Sequence, residues 1–591
     1  MTDLNSSIRP VLLLWRHVSS LRKKQIGILV ILMIIVSFFE IISIGAVIPF
    51  LTVFIDPDIL LTKPEFIPIL SFFGINSHEE LLGPLTAIFI LLAISAGLMR
   101  VILLFVSTRI SFSLGADLSY DIYRRTLYQP YEVHISRNSS EVVNGVAVKV
   151  NLVITSIVIP VLNLMGSLVI MLAIVSMMLY IDVFAALFSI LFFSSIYVLV
   201  AFFTKRKLLV NSQHAAEEST QVIKTIQEGL GSIRDILINN TQNQYCKRYR
   251  QSDLKLRKSQ ASNLFIAQSP RYGIESLGIA FIAVLAYLLT QNEGETNVVV
   301  PLLGAIALGA QRLLPLMQNI YMSWSNIKGG ISSIYDTLSL LDQKESPYQV
   351  KNLGESLSFE KSITLSDVSF QYNLNSIPVI SNINLTINKG ERIGFFGESG
   401  CGKSTLLDII MGLLIPTSGE MRIDGKNIKN KEVVAWRENI SHVSQNIFLN
   451  DSSIEENIAF GIPKIDIDHA RVKKVVKQAQ LDVLISQLPL GVDTRVGEDG
   501  VLLSGGQKQR IGIARALYRR SKVIVFDEAT SALDEKTELH VMRAIDSLSK
   551  DLTVIIVAHR LSTLKHCSKL YELNKDGVSY IKSYNDLFLR K

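Results

Sequence analysis

Cysteine is scarce in this sequence, with Cys246, Cys401 and Cys567 the only three in 591 residues. Their number is odd and their spacing fits no metal-ligand pattern. A disulfide framework and a cysteine metal site are therefore excluded, and free thiols are expected. Charge is scarce too. Asp, Glu, Lys and Arg make up 19% of the chain, against about 25% in an average soluble protein. The shortage is confined to one part. Residues 1–350 hold 27 Lys and Arg with 23 Asp and Glu, about 14% of that stretch, whereas residues 351–591 hold 32 and 29, about 25%. The first part excludes a single soluble domain, and its long apolar runs exclude intrinsic disorder. The net charge of +7 divides into +4 and +3. Neither part has the basic balance of a nucleic-acid binder, and no nucleic-acid partner is expected.

What the first part has is apolar runs. A membrane helix takes about 20 mostly apolar residues, and six stretches qualify: Ile26–Phe50, Leu85–Val106, Leu152–Tyr180, Val183–Phe203, Tyr272–Leu289 and Val298–Ser325. The first is too long for a cleaved signal and lacks a small-residue cleavage site, so it reads as a spanning helix. Pro160, Pro301 and Pro315 fall inside runs and predict kinks or helix starts, which bilayer helices tolerate. Lys and Arg crowd one side. Five precede the first run, five follow the second, from Arg109 to Lys149, and twelve lie between Lys205 and Arg271. The opposite loops at 51–84 and 290–297 carry Lys63 alone against seven Asp and Glu. Both termini are therefore expected in the cytoplasm. Segments Ser107–Asn151 and Thr204–Arg271 are too long for structureless loops and are expected as helices running on from the membrane. Pro10–Ser20 reads as an amphipathic elbow in the interface; the alternative is that Trp15 starts the first spanning helix.

From Ile363 the pattern changes to short strands and then to strand–helix alternation, which predicts an α/β domain with a largely parallel sheet. The strand Ile393-Gly394-Phe395-Phe396 runs into Gly397-Glu398-Ser399-Gly400-Cys401-Gly402-Lys403-Ser404-Thr405, and a helix follows. This is the GxxxxGK[ST] phosphate loop in its required context. The glycines let backbone N–H groups wrap phosphates, Lys403 should reach the outer two, and Ser404 should hold Mg2+. Val523-Ile524-Val525-Phe526-Asp527-Glu528 is a buried strand ending in two carboxylates. Asp527 should hold Mg2+, and Glu528 is placed to polarise an attacking water. Leu503-Ser504-Gly505-Gly506-Gln507 opens a second helix and makes a second anion site. Two phosphate-binding helix ends and one nucleotide per chain predict a head-to-tail dimer of two copies. Each ATP would be held between Lys403 of one copy and Ser504–Gly506 of the other.

These residues resemble the nucleotide-binding domain of ABC transporters, and six spanning helices ahead of it resemble an exporter half-transporter. The resemblance covers essentially the whole chain, with a transmembrane domain at 1–345, a linker at 346–360 and the ATPase domain at 361–591. It implies a type I exporter fold, with a helical membrane domain and long cytoplasmic extensions followed by an α/β P-loop ATPase that uses ATP and Mg2+. It further implies that Tyr372 stacks on adenine and that Gln445 is the lid residue contacting Mg2+. His559 would sense the γ-phosphate, and Ser531-Ala532-Leu533-Asp534 would communicate across the dimer. Thr494-Arg495-Val496-Gly497-Glu498 resembles the exporter motif beside the signature. Coupling helices are implied near Tyr128–Arg137 and Glu228–Ile236. The expected location is the bacterial inner membrane.

Charges inside the apolar runs bear on cargo. An ionisable side chain deep in a bilayer costs about 2.5–3.5 kcal/mol on insertion scales, so it usually faces protein or water. Arg100, Arg271 and Arg312 are either structurally paired, for example Glu275 with Arg312, or line a wet cavity that receives an anionic headgroup. Glu40 reads as structural or gating, since it would repel an anion. The stretches Phe39–Phe50, Pro270–Glu275 and Gln311–Pro315 are similar to the bacterial flippases of lipid-linked oligosaccharides, of the PglK type. That branch implies a polyprenyl-diphosphate-linked cargo and a short external helix in the loop Asp56–Gly83. The alternative on the same scaffold is export of drugs, lipid A or peptides.

Overall fold

The computed structural model of the chain describes residues 2–47, 50, 78–181, 183–292, 296–343, 357–373, 377–429, 431–528, 538, 551–558, 561–574, 577–581 and 584. They form two compact units, Met1–Leu127 with Arg137–Lys344, and Tyr128–Ser136 with Glu345–Lys591. The loop expected to carry an external helix falls largely on residues 51–77, outside the described residues, as does most of the 346–360 linker.

The first unit is helical. Its elements are α1 (Thr2–His17), α2 (Ser20–Gly45) and α3 (His78–Leu127); α4 (Tyr131–Ser136) belongs to the second unit; then come α5 (Ser139–Asn144), α6 (Ile159–Ile181), α7 (Val183–Gly231), α8 (Ile233–Ile238), α9 (Gln242–Gln268), α10 (Pro270–Asn292) and α11 (Thr296–Leu341). Trp15 lies in α1, which ends before Ser19 caps α2 by accepting from the Arg22 N–H at 3.4 Å. The helix α2 is bounded at Gly45 by a turn at Ala46, and Val47 and Phe50, at the end of the first apolar run, are again helical. The 50 residues of α3 and 49 of α7 span about 75 Å at 1.5 Å per residue, more than twice a hydrocarbon core of about 30 Å. Both therefore run on past their apolar runs. Among the described residues, three helices are long and apolar enough to cross a membrane: Ser20–Gly45, Leu82–Leu127 and Ser139–Tyr180.

Apolar stripes join α2, α3, α6 and α11. Leu29 and Met33 of α2 meet Ile110 and Leu162, and Val36 meets Ile170, Ile174 and Leu313. Elsewhere apolar side chains stay outward, as on α3 with Leu91 and Leu104, which suits helices solvated by lipid tails. Pro160 lies inside a continuous helix. The turn before it, Ile154–Val158, is π-helical, and the Ile159 N–H bonds back to the Ile154 carbonyl. That widening accommodates a residue with no N–H of its own. Asn144, fully buried just before another π-turn at Gly145–Lys149, bonds Ser219 and Thr220 of α7, and Lys149 pairs with Asp336 of α11 at 2.7 Å.

The second unit is α/β. An antiparallel sheet runs in the order β2-β1-β4-β5, with β1 Ser362–Phe370, β2 Ile380–Asn388, β4 Ser418–Ile423 and β5 Lys426–Asn427. The main sheet runs β10-β9-β3-β8-β7-β6, with β3 Arg392–Phe396, β6 Ile440–Val443, β7 Val523–Asp527, β8 Thr553–Val557, β9 Lys569–Asn574 and β10 Gly577–Ile581. All its pairings are parallel except β9 with β10. The helices used below are α12 (Lys403–Ile410), α13 (Ile454–Ile458) and α14 (Gly505–Tyr518). Two apolar cores flank the main sheet. One gathers α12 with Phe359, Ile363 and Trp436; the other gathers α14 with Leu449, Ile454 and Val496. Residues 128–136, which composition alone assigns to the first part, cluster with this unit because Tyr131 packs on the α12 core.

Candidate functional site

The phosphate loop is set by β3, whose Ile393 and Phe395 are buried and hold it in the sheet centre. Gly397 has φ +152°, and a Cβ there would collide with the Leu573 carbonyl on β9. Gly402 has φ +96° and opens α12 in the left-handed region, where a side chain is disfavoured. The loop thus bends back and presents the first N–H groups of α12. Lys403 is buried and donates to the carbonyls of Gly397 at 2.9 Å and Glu398 at 2.7 Å. Its ammonium is held at the mouth of the loop. Cys401 is a buried free thiol. The Tyr372 ring stands half-exposed, edge-on to Phe370 at 5.0 Å, with its hydroxyl 3.2 Å from Thr405 Oγ1.

Across the sheet, β8 separates β3 from β7, and β7 ends at Asp527. Glu528 leaves the strand with φ +52° while its N–H still bonds the Val557 carbonyl at 3.0 Å. The Glu528 carboxylate accepts from Gln445 Nε2 at 2.7 Å. Residues expected from separate motifs 83 positions apart are thus in contact. Asp408, one turn into α12, was not anticipated; its signal is a lone carboxylate in the apolar run Leu406–Ile410. Burial, then the charge of Asp527, pushes its carboxyl up to about 6. Ser404, Asp527 and Gln445 offer oxygen donors of the kind Mg2+ takes.

A raised carboxyl binds its proton more tightly folded than unfolded. The folded state is therefore penalised above about pH 6, and that penalty fades as pH falls towards the ordinary carboxylate range. Asp408→Asn should raise the thermal midpoint of the full chain, measured without nucleotide, at pH 8 and give no gain at pH 4.

The signature lies in the other core. Ser504 caps α14 reciprocally: its hydroxyl accepts from the Gln507 N–H at 3.3 Å, and its own N–H donates to Gln507 Oε1 at 2.8 Å. Gln507, expected beside nucleotide, is a capping residue here. Gly505 and Ser504 are exposed, so the helix end is open to a ligand. Thr494–Glu498 pairs with the segment leading into α13, through Val496 N–H to the Ser452 carbonyl at 3.1 Å and a Ser453–Arg495 bridge. His559 and Asp534 lie outside the described residues.

In the membrane unit, Arg100 pairs with Glu40, which is 2% exposed. Sequence reading had left these two unconnected; each is a lone charge in an apolar helix, of opposite sign. Arg271 is largely exposed and pairs with Glu275 one turn on at 3.8 Å, so Glu275 has a partner besides the suggested Arg312. Arg312 lies on α11 with its side chain outside the described residues. Among the expected coupling positions, α4 and α8 are both short helices, and Leu237 and Ile238 at the end of α8 are exposed.

Residues 380–531 match the family described as ABC transporter, and residues 25–305 match ABC transporter transmembrane region. Putative multidrug export ATP-binding/permease proteins of Staphylococcus aureus strains NCTC 8325 / PS 47 and COL are each 42% identical to this chain over 229 residues, 39% of this chain. The match likewise spans only 39% of those relatives' length. The solved structure of a bacterial Atm1-family ABC exporter with ATP bound aligns at a TM-score of 0.78 and 22% identity, covering 97% of this chain and 98% of that one. That likeness extends over both units and is one of fold: a type I exporter's helical membrane domain followed by an α/β nucleotide-binding domain. The chain thus carries an ABC transporter transmembrane region followed by an ABC transporter ATP-binding domain, the two parts of an exporter half-transporter.

Proposed function

We propose that this chain is one half of an ATP-hydrolysing exporter that works as a dimer of two copies in a bacterial inner membrane. The observation that carries it is the separation of the two anion-binding helix ends. Lys403 opens α12 on one apolar core and Ser504 opens α14 on the other. A second copy turned head to tail brings the missing end to each nucleotide. Lys403 then stabilises charge on the outer phosphates, Tyr372 stacks on the base, and Glu528 orients the attacking water. Gln445, already bonded to Glu528, links the hydrolytic carboxylate to the segment that continues into α13. His559 and Asp534 complete the site by the family pattern. Mg2+ held by Ser404, Asp527 and Gln445 supplies charge neutralisation. Closure of the nucleotide domains reaches the membrane helices through the short helices α4 and α8.

For cargo, the three short similarities favour a polyprenyl-diphosphate-linked oligosaccharide or related lipid, bound through Arg271 and Arg312. The Glu40 partner weakens the share of Arg100 in that reading. Export of drugs, lipid A or peptides is the second reading, favoured by the names of the Staphylococcus aureus relatives. Reconstitution in liposomes separates them. The first predicts ATP-dependent appearance of a fluorescent polyprenyl-diphosphate sugar on the far leaflet, abolished by vanadate. Movement of a dye-like drug or of lipid A, with the sugar lipid left behind, establishes the second. If nothing moves while ATP is hydrolysed, export itself is refuted.

A further inference from the structure

Arg515, in the last turn of α14, carries a positive charge that no carboxylate meets among the described residues. Its guanidinium binds backbone instead. Nε donates to the Asn457 carbonyl at 2.9 Å, and Nη1 and Nη2 fork onto the Phe448 carbonyl at 3.1 and 3.2 Å. Nη2 also reaches Asn457 Oδ1 at 3.3 Å, and the cation lies 4.7 Å from the centre of the Phe460 ring. Burial lowers its pKa from the ordinary arginine value. A desolvated charge without an acidic partner is a poor source of stability. What these bonds do is fix the place of the two segments they hold.

Both lie along the stretch that runs from the end of β6 through α13, and Gln445 is near its start. Phe448 follows Gln445 by three residues. Asn457, fully buried in α13, donates to the Asn450 and Ser453 carbonyls at 3.0 and 3.1 Å and accepts from the Asn450 N–H at 3.0 Å. Gly512 lies one turn before Arg515, and a Cβ there would collide with the Ile447 side chain. Shape at Ile447 and hydrogen bonds at Phe448 therefore fasten two adjacent residues to α14. Gln445 itself is exposed, and among the described residues Glu528 is the partner of its side chain, at 2.7 Å. Its position is thus set by the backbone that follows it.

We infer that Arg515 is a positioning residue for ATP hydrolysis, holding Gln445 against Glu528 through the Phe448 carbonyl while Gly512 leaves room for Ile447. This rests on the reading of Gln445 and Glu528 as hydrolytic residues. The helix α12, which presents Lys403, is packed on the other apolar core. Loosening the fork should therefore slow turnover and leave ATP binding unchanged. A misplacement of about 1 Å can cost about 100-fold in rate, so a partial displacement is expected to cost about tenfold. A purely structural role gives another pattern, with less folded protein and less ATP bound but the rate per bound ATP kept.

The test is steady-state ATP hydrolysis and binding of labelled ATP on the purified full chain in detergent. Arg515→Lys keeps the charge and loses the planar fork. It should cut kcat per bound ATP about tenfold, with KM for ATP within about twofold of wild type. Gly512→Ala disturbs the same stretch without touching the charge and should give the same split between kcat and KM. In a Gln445→Ala background either change should cost less than about twofold more, because the group they position is gone. An unchanged kcat per bound ATP in both variants, or losses equally large with and without Gln445, overturns the inference. A fully active Gln445→Ala chain would instead refute the hydrolytic role of Gln445 on which it rests.

Discussion

Glu528→Gln is expected to cut steady-state ATP hydrolysis by at least about 100-fold, the range of a lost general base, while ATP still binds. The substitution keeps the shape of the side chain. Its amide oxygen can still accept from Gln445 Nε2, now 2.7 Å from the carboxylate, and the backbone bond to Val557 does not involve the side chain. What is removed is the negative charge that draws a proton from water. Hydrolysis rate and equilibrium binding of a labelled ATP, measured on the same preparation, test this together. With turnover blocked, ATP should also hold two copies together, visible as a shift to the dimer in size analysis. Wild-type hydrolysis would remove Glu528 from the catalytic step. Lys403→Ala is the contrast, because it removes the cation at the phosphates and should abolish binding itself.

The second large effect is in the membrane unit. Arg100→Ala leaves the Glu40 carboxylate buried at 2% exposure without its guanidinium. Removing one partner of a buried pair costs about 3–5 kcal/mol, whereas replacing both by apolar residues is often neutral. Arg100 is itself part-exposed, which places the expected loss at about the lower end of that range. Glu40→Leu with Arg100→Leu should unfold close to wild type in detergent, with Arg100→Ala clearly below both. An equal drop in the single and double variants would mean that the two charges do not stabilise each other.

The two variants differ in how far their sites were legible beforehand. A phosphate loop is a local device. Its glycines, its lysine and the strand before it lie within a dozen residues, and backbone sterics leave one way to arrange them, so β3, the loop and α12 stand where spacing predicted. The turn at Ala46 that bounds α2 within the first apolar run was less legible; hydrophobicity marks what a bilayer accepts, and helix termination depends on local geometry. Residues 128–136 were expected as a coupling helix from the family resemblance, not from their composition. Their composition suits a cytoplasmic extension, yet Tyr131 finds its apolar partners on the α12 core, a contact more than 200 residues away along the chain.

The order of the main sheet, β10-β9-β3-β8-β7-β6, is likewise nonlocal, and through it Gln445 reaches Glu528. Sequence by itself determined the class of the molecule, because apolar runs, the bias of Lys and Arg and the phosphate-binding glycines all act over short stretches. Only the tertiary structure decided partnerships. It matched Arg100 to Glu40 and set the helix ends opened by Lys403 and Ser504 on separate cores. The physical reason is the same in each case. A charge in a low-dielectric interior must be compensated and an apolar helix face must be buried, but which groups meet depends on the packing of distant segments.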